Sequence, residues 1–286
     1  MKATDAYRKI NNSPIKGIVL YYTEQILKMD KGALGSVIEQ IQTGKTPPKA
    51  NAKYYASSDI NWFKPSDIGY EKFLEEANEK FSNIAVKEKK ATIYPKDTLL
   101  LIGIGGGVGR VSILKEEGSS NQQITGITFN KKVYPQYAYY YYLVREDYIK
   151  SQAKSMSFPI LNQSKIKELK FRYPSLPEQN EFVKFIDSCW KSFLNNEIPD
   201  ISSFEISPEL KEYALKQFKA IEEAISRESA EFTRQQTNYA GKALSEFKNY
   251  AASFPRADQD FESEMSDFQS RIVSDLNKNE EASCLA

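Results

Sequence analysis

The sequence contains no histidine among its 286 residues. That absence removes the commonest general base, the usual Ser-His and Cys-His nucleophile pairs, and most zinc sites. Hydrolytic chemistry would have to rest on carboxylates and lysines. Cysteine is almost as scarce. Cys189 and Cys284 lie far apart with no metal-type spacing, which suits a reducing cytoplasm. No apolar run approaches the ~20 residues needed to span a bilayer, and the first thirty residues lack the ordered segments of a signal peptide. A cytoplasmic chain with no membrane partner is therefore expected. The Asn/Asp-Pro-Pro-Tyr/Phe motif of amino-methylating enzymes is missing as well. Acidic-x-Lys triplets of the nuclease kind, such as Glu88-Lys89-Lys90, arise by chance where 27% of residues are charged.

What is present is a globular composition, 41% apolar, in a chain long enough for one large or two ordinary domains. Net charge is +1, but it is unevenly spread. Residues 41–175 carry 21 basic against 13 acidic groups, and residues 176–286 carry 12 against 21. A basic middle joined to an acidic tail suggests two units with different partners, the first of them a polyanion.

The most informative stretch runs from Tyr94 to Asn130. Leu99-Leu100-Leu101-Ile102 is a short apolar run between turn formers, as for a strand buried on both faces. A glycine cluster, Gly103 to Gly109, follows and closes with Arg110; Val111-Ser112-Ile113-Leu114 reads as a second strand. Two phosphate-loop readings fail here. Starting from Gly103 or Gly105, a dinucleotide fingerprint meets Val108 or Arg110 where it needs its third glycine. The nucleoside-triphosphate loop has its tail in Gly44-Lys45-Thr46, but Glu39 occupies the position of its first glycine.

Elsewhere the pattern is mostly helical. A helix is predicted over Ile18 to Met29, a second over Gly69 to Phe81, and a third over Gln136 to Ile149 with five tyrosines between Tyr137 and Tyr142. Those tyrosines suit either stacking on bases or covering one side of a sheet, with packing the default. Ser175-Leu176-Pro177-Glu178 forms a capping box for a helix with Phe182, Ile186, Cys189 or Trp190, and Phe193 on one face. After a linker at Asn195 to Ser207, heptad-like seams run through Leu210, Ala214, Phe218, Ile221 and Ile225. They continue through Phe232, Tyr239 and Phe247, and resume beyond Pro255 at Phe261, Met265, Phe268, Ile272 and Leu276.

Six of these elements together resemble a target-recognition domain of type I restriction-modification specificity subunits. They are Gly44-Lys45-Thr46-Pro47, Trp62-Phe63-Lys64-Pro65-Ser66-Asp67-Ile68, Gly103 to Gly109, Asn121-Gln122, Tyr137 to Leu143, and Pro174-Ser175-Leu176-Pro177-Glu178-Gln179. The resemblance implies an α+β fold. A twisted, partly barrel-like mixed sheet with flanking helices would occupy residues 34–175, after an N-terminal helical segment, 1–33. A spacer helix, 176–195, a linker, 196–207, and an antiparallel helical hairpin or bundle, 208–286, would follow. It further implies a non-catalytic, cofactor-free, DNA-binding subunit working with a methylating subunit and a possible restriction or translocase subunit. Only one set of motifs is visible, so the expected form is a half-subunit that reads half of a split site and pairs with a second half or itself.

The residue types suit double-stranded DNA independently. Lys45, Lys64, Arg110, Lys131, Lys132 and Lys154 can meet phosphates. Asn121, Gln122, Gln123 and Arg110 offer forked donors and acceptors for base edges, Thr46 is a further DNA-contact candidate, and Ser66 and Asp67 either cap the following helix or accept from cytosine. Gly44, Gly105 and Gly107 would let backbone approach a ligand closely. The competing reading is a protein-interaction adaptor that works through its C-terminal helices and carries a degenerate recognition domain.

Overall fold

The computed structural model describes residues 14–28, 32–153, 159–195 and 197–252. Two compact units divide within one long helix, at Ala220 and Ile221. The first unit holds both sheets.

Helix α1 spans Pro14–Ile26 and buries Ile15, Ile18, Val19 and Ile26. The predicted end at Met29 lies outside the described residues. Strand β1, Ile38–Thr43, begins a five-stranded mixed sheet. The other members are β3 (Phe73–Leu74), β5 (Leu99–Ile102), β6 (Val111–Leu114) and β8 (Ile124–Phe129), in the order β1-β8-β5-β6-β3. All its pairings are antiparallel except β3 with β6. β5 and β6 are buried along their whole length, as their continuous apolar sequence requires. A second sheet joins β2 (Ile60–Phe63) to β4 (Lys80–Phe81) on one side and β7 (Ser119–Ser120) on the other. The sheets do not close into a barrel: among the described residues β1 and β3 are the unpaired edges of the larger one.

The predicted helix over Gly69 to Phe81 is absent, and β3 and β4 stand in its place. Its residues have fair helix propensity, but tertiary partners take its backbone groups. The Lys72 and Leu74 carbonyls accept from Ile113 and Lys115 N–H, and the Asn61 side chain receives Ala77 N–H while donating to the Glu75 carbonyl. Weak intrinsic preference loses to such pairing. A short helix, α2, Asn83–Lys87, follows β4.

The tyrosine block forms α3, Pro135–Leu143, packed on β5 and β6. Its five tyrosines are buried, and several hydroxyls find backbone acceptors: Tyr137 on Arg172, Tyr139 on Tyr70, Tyr142 on Lys170. The Tyr140 hydroxyl donates to Asp187. These rings cover the sheet and do not wait for bases. Two short helices follow, α4 (Glu146–Gln152) and α5 (Gln163–Glu168). In α6, Leu176–Leu194, the capping box forms as predicted, with Glu178 accepting from the Ser175 N–H and hydroxyl. Buried Gln179 accepts from Tyr134 N–H and donates to the Lys132 and Pro174 carbonyls, latching α6 to the exit of β8.

Helix α7 spans Pro208–Ala252. Leu210, Ala214 and Phe218 are buried, and Tyr213 stacks on Tyr21 of α1 with ring centroids 4.4 Å apart. Further along, in the second unit, Ile225, Phe232 and Tyr239 recur at seven-residue steps and are exposed. The predicted return seam, Phe261 to Leu276, lies outside the described residues. No described helix is long and apolar enough to cross a membrane.

Candidate nucleic-acid interface

The antiparallel register brings distant loops to one end of the large sheet. Thr43 pairs with Thr125, Ile102 with Ile124, and Leu101 with Val111. The Gly44–Pro48 loop, the Asn121–Gln123 turn and the Gly103–Arg110 loop therefore all leave from the same edge. The second sheet adds to it, because Asn121 N–H donates to the Phe63 carbonyl and Phe63 pairs with Ser120. Lys64 follows directly.

Gly44 makes this junction possible. A Cβ there would stand 2.2 Å from the Asn121 carbonyl oxygen and 2.3 Å from that of Ser120. The close approach expected for a ligand is thus made to the chain's own backbone. It lets Lys45 N–H reach the Ser120 carbonyl (3.0 Å), while the Trp62 indole N–H donates to the Lys45 carbonyl (3.2 Å). The Lys45 and Thr46 side chains point outward and are exposed. Thr46 Oγ1 donates to Gln122 Oε1 at 2.6 Å, which holds the exposed Gln122 in place.

The expected pair of base readers separates into two roles. Asn121 is 7% exposed, its Oδ1 accepts from Gln123 N–H and its Nδ2 donates to Gln123 Oε1. With both ends of its carboxamide engaged inside the turn, Asn121 builds the loop in this structure. Gln122 alone of the three amides faces out.

Arg110 is likewise engaged within the chain. Its guanidinium lies over the Tyr70 ring, 5.2 Å from the centroid, and its Nε is 3.8 Å from Glu146, which also binds Lys150 at 2.6 Å. Arg110 braces the glycine loop against α4. Gly109, at φ 96°, has its Cβ position 2.9 Å from the Glu146 carbonyl oxygen, and only glycine fits that turn. Gly105 lies beside Gln123 and, with Val108, Lys150 and Pro159, borders a cavity of about 440 Å³. Gly107 packs toward Ile102.

Lys64 forms an ion pair with Glu79 and lies over Trp62. Ser66 is exposed in the Pro65–Asp67 turn, which Asp67 closes by accepting from Lys64 N–H at 2.7 Å. Asp67 thus caps, although what it caps is a single 3-10 turn and not the predicted helix. Lys131 and Lys132 follow β8 at the opposite end of the sheet, near the start of β1, and join no shared surface with Lys45. Lys154 lies outside the described residues. In the neighbouring Ile160–Ser164 segment Asn162 caps α5 and Gln163 donates to Thr43.

Lys89 and Lys90 were hidden within the apparent nuclease triplet. They are exposed and, with Gly44, Lys45, Thr46, Pro48 and Gln122, line an open depression of about 490 Å³. Glu88 is held by Lys53 and Tyr54, each at 2.7 Å, and these bonds keep its carboxyl below the usual range. A run of charges, Lys87 to Lys90, was the available signal. Among the described residues no acidic or sulfur cluster is arranged to hold a metal.

Residues 27–202 match the family model described as Type I restriction modification DNA specificity domain. The chain is 30% identical over 157 residues to the Type I restriction enzyme MjaIX specificity subunit of Methanocaldococcus jannaschii, a match covering 54% of this chain and 36% of that protein. It is 24% identical over 164 residues to the EcoprrI specificity subunit of Escherichia coli, covering 53% and 40%. The matched stretch is thus well under two thirds of either relative. The crystal structure of the HsdS subunit from Thermoanaerobacter tengcongensis aligns over 76% of this chain and 53% of its own, at 14% identity and a TM-score of 0.48. With well over half of its length inside the family model, the chain belongs to the type I restriction-modification DNA specificity family.

Proposed function

We propose that this chain is the sequence-reading component of a restriction-modification complex. It binds double-stranded DNA through the loops at the open end of its large sheet. Lys45 contacts phosphate and sets position, and Gln122 and Thr46 meet base edges in the major groove. Chemistry on the DNA belongs to associated subunits, a methylating one and a restriction or translocase one, docked on the helices from α6 onward. One chain reads half of a split target, and a second copy or a different half completes it. The observation that carries this reading is the convergence of Lys45, Thr46, Gln122 and Lys64 beside Asn121, from three separate parts of the sequence, within the family match.

Selection of bound duplexes from a random pool, with partner subunits present, tests it. Enrichment of a short motif is expected, and Q122A should alter that motif. A pool that stays random would end the proposal. A second reading has one observation in its favour: the exposed heptad of Ile225, Phe232 and Tyr239 suits a protein partner. An adaptor without DNA recognition would hold its partners equally well with and without duplex.

A further inference from the structure

We infer that the Glu88–Lys90 turn is a phosphate-binding element of this interface, with Glu88 acting as its positioning residue. The inference rests on the DNA-binding reading above and goes further, because it assigns a contact to residues outside the six sequence elements named above.

The backbone first singles out the turn. Lys89 has φ 57°, one of two non-glycine residues with positive φ among those described. A left-handed residue just past a helix end, bonded back into the last turn, is the ordinary way a helix stops, and here it fixes where the Lys89 and Lys90 side chains leave the chain. The turn is firmly tied. Lys89 N–H donates to the Val86 carbonyl at 2.9 Å, and Lys90 N–H donates to that of Ala85 at 2.8 Å. Glu88 anchors the other side through Lys53 Nζ and the Tyr54 hydroxyl, and Lys53 lies over the Tyr54 ring.

The consequence is electrostatic. With Glu88 drawn toward Lys53 and Tyr54, the rim of the depression presents the ammonium groups of Lys45, Lys89 and Lys90 beside the outward Gln122. Several lysines of this domain sit in ion pairs, for example Lys72 with Asp187 and Lys115 with Glu75, whereas these three, which share one depression, join none within 4 Å among the described residues. Lys90 is still near enough to Glu88 to favour its charged form. A surface meant only to stay solvated has no reason to gather unpaired cations around one concavity. A DNA strand has one: its phosphates release counterions to such groups and fix the register at which Gln122 meets a base.

The test is the salt dependence of binding by the chain with its partner subunits, probed with a mixed-sequence duplex of about 40 base pairs. K89G removes the charge while favouring the turn, and K90Q removes the second. Each phosphate contact contributes about 0.9 to the slope of log K against log salt. The double variant should therefore lose roughly two units of slope and bind roughly 10- to 100-fold more weakly at 0.1 M salt. The selected motif should stay the same, K89R should retain the slope, and melting should be no lower than that of the wild type. E88Q should weaken binding less, through loosened positioning. If K45A flattens the slope while the Lys89 and Lys90 variants bind like wild type, the inference is wrong and the DNA reading stands. If the wild-type complex retains no duplex at all, both fall.

Discussion

Replacing Gly44 by alanine should cost more stability than any other single methyl added to the interface loops. The new Cβ would lie 2.2 to 2.3 Å from the Asn121 and Ser120 carbonyl oxygens and from Ser120 Oγ, so one segment must retreat by about 1 Å. A retreat of that size breaks the Lys45 N–H bond to Ser120 (3.0 Å) and the Trp62 indole bond to the Lys45 carbonyl (3.2 Å). Two hydrogen bonds at about 1 kcal/mol each, and overpacking at about 1–3 kcal/mol, are offset by about 0.4–1 kcal/mol from a less flexible unfolded chain. The net loss is roughly 2–4 kcal/mol, or about 5–15 °C of melting temperature for a unit of this size. Circular-dichroism melting of G44A beside G106A is the assay, since a Cβ at Gly106 meets nothing within 4 Å. The same displacement separates Thr46 from Gln122, so duplex binding should weaken in G44A alone. A G44A protein that melts within a degree of wild type would refute the idea that this approach organises the loops.

Other expectations follow from the same geometry. N121A should lower stability by about 1–3 kcal/mol, since it leaves Gln123 N–H unpaired in a half-buried turn, whereas Q122A should melt like wild type and lose selectivity. Equal melting of the two would remove the distinction drawn between them. Burial pushes the Cys189 thiol up to about 12 and closes it to reagents, so in a C284S background iodoacetamide at pH 8 should label it only on unfolding. Rapid labelling of the folded protein would contradict that packing. Burial also raises the pKa of Tyr94 to about 12 and those of Tyr137, Tyr139, Tyr140 and Tyr142 well above 10. The folded state therefore favours the neutral phenols. Their contribution to stability is fully present below about pH 10 and is lost as pH rises toward their folded values. Absorbance at 295 nm should show exposed tyrosines ionising first and the rest together with loss of circular dichroism. A single step near pH 10 with the fold intact would oppose it.

Local signals in the sequence were sufficient wherever neighbours in the chain decide the outcome. Leu99–Ile102 and Val111–Leu114 are apolar runs with glycines between them, and they form β5 and β6. Ser175 and Glu178 sit one helical turn apart and close the capping box. Tyrosines crowded at helical spacing cover a sheet, as their size favours. The loop motifs likewise point to a nucleic-acid surface. Where partners come from far away, the residue types misled. Residues 69–81 have a helix former's composition, yet their carbonyls are claimed by β6 and their amides by Asn61 and Asp67.

The interface shows the same division. Asn121 and Gln122 are alike in chemistry and adjacent in sequence, and only the turn that consumes one carboxamide and exposes the other tells them apart. Lys131 carries the charge that a DNA-facing residue needs, but β8 runs away from the loops and delivers it to the far end of the sheet. Lys89 and Lys90 reach the depression because the turn after α2 reverses the chain beside a loop more than forty residues earlier. Composition and motif thus carry the class of partner proposed here, since charge and hydrogen-bonding capacity belong to side chains wherever they lie. Which side chains share one surface was decided by strand order and register alone, because proximity across a sheet depends on pairing and not on distance along the chain.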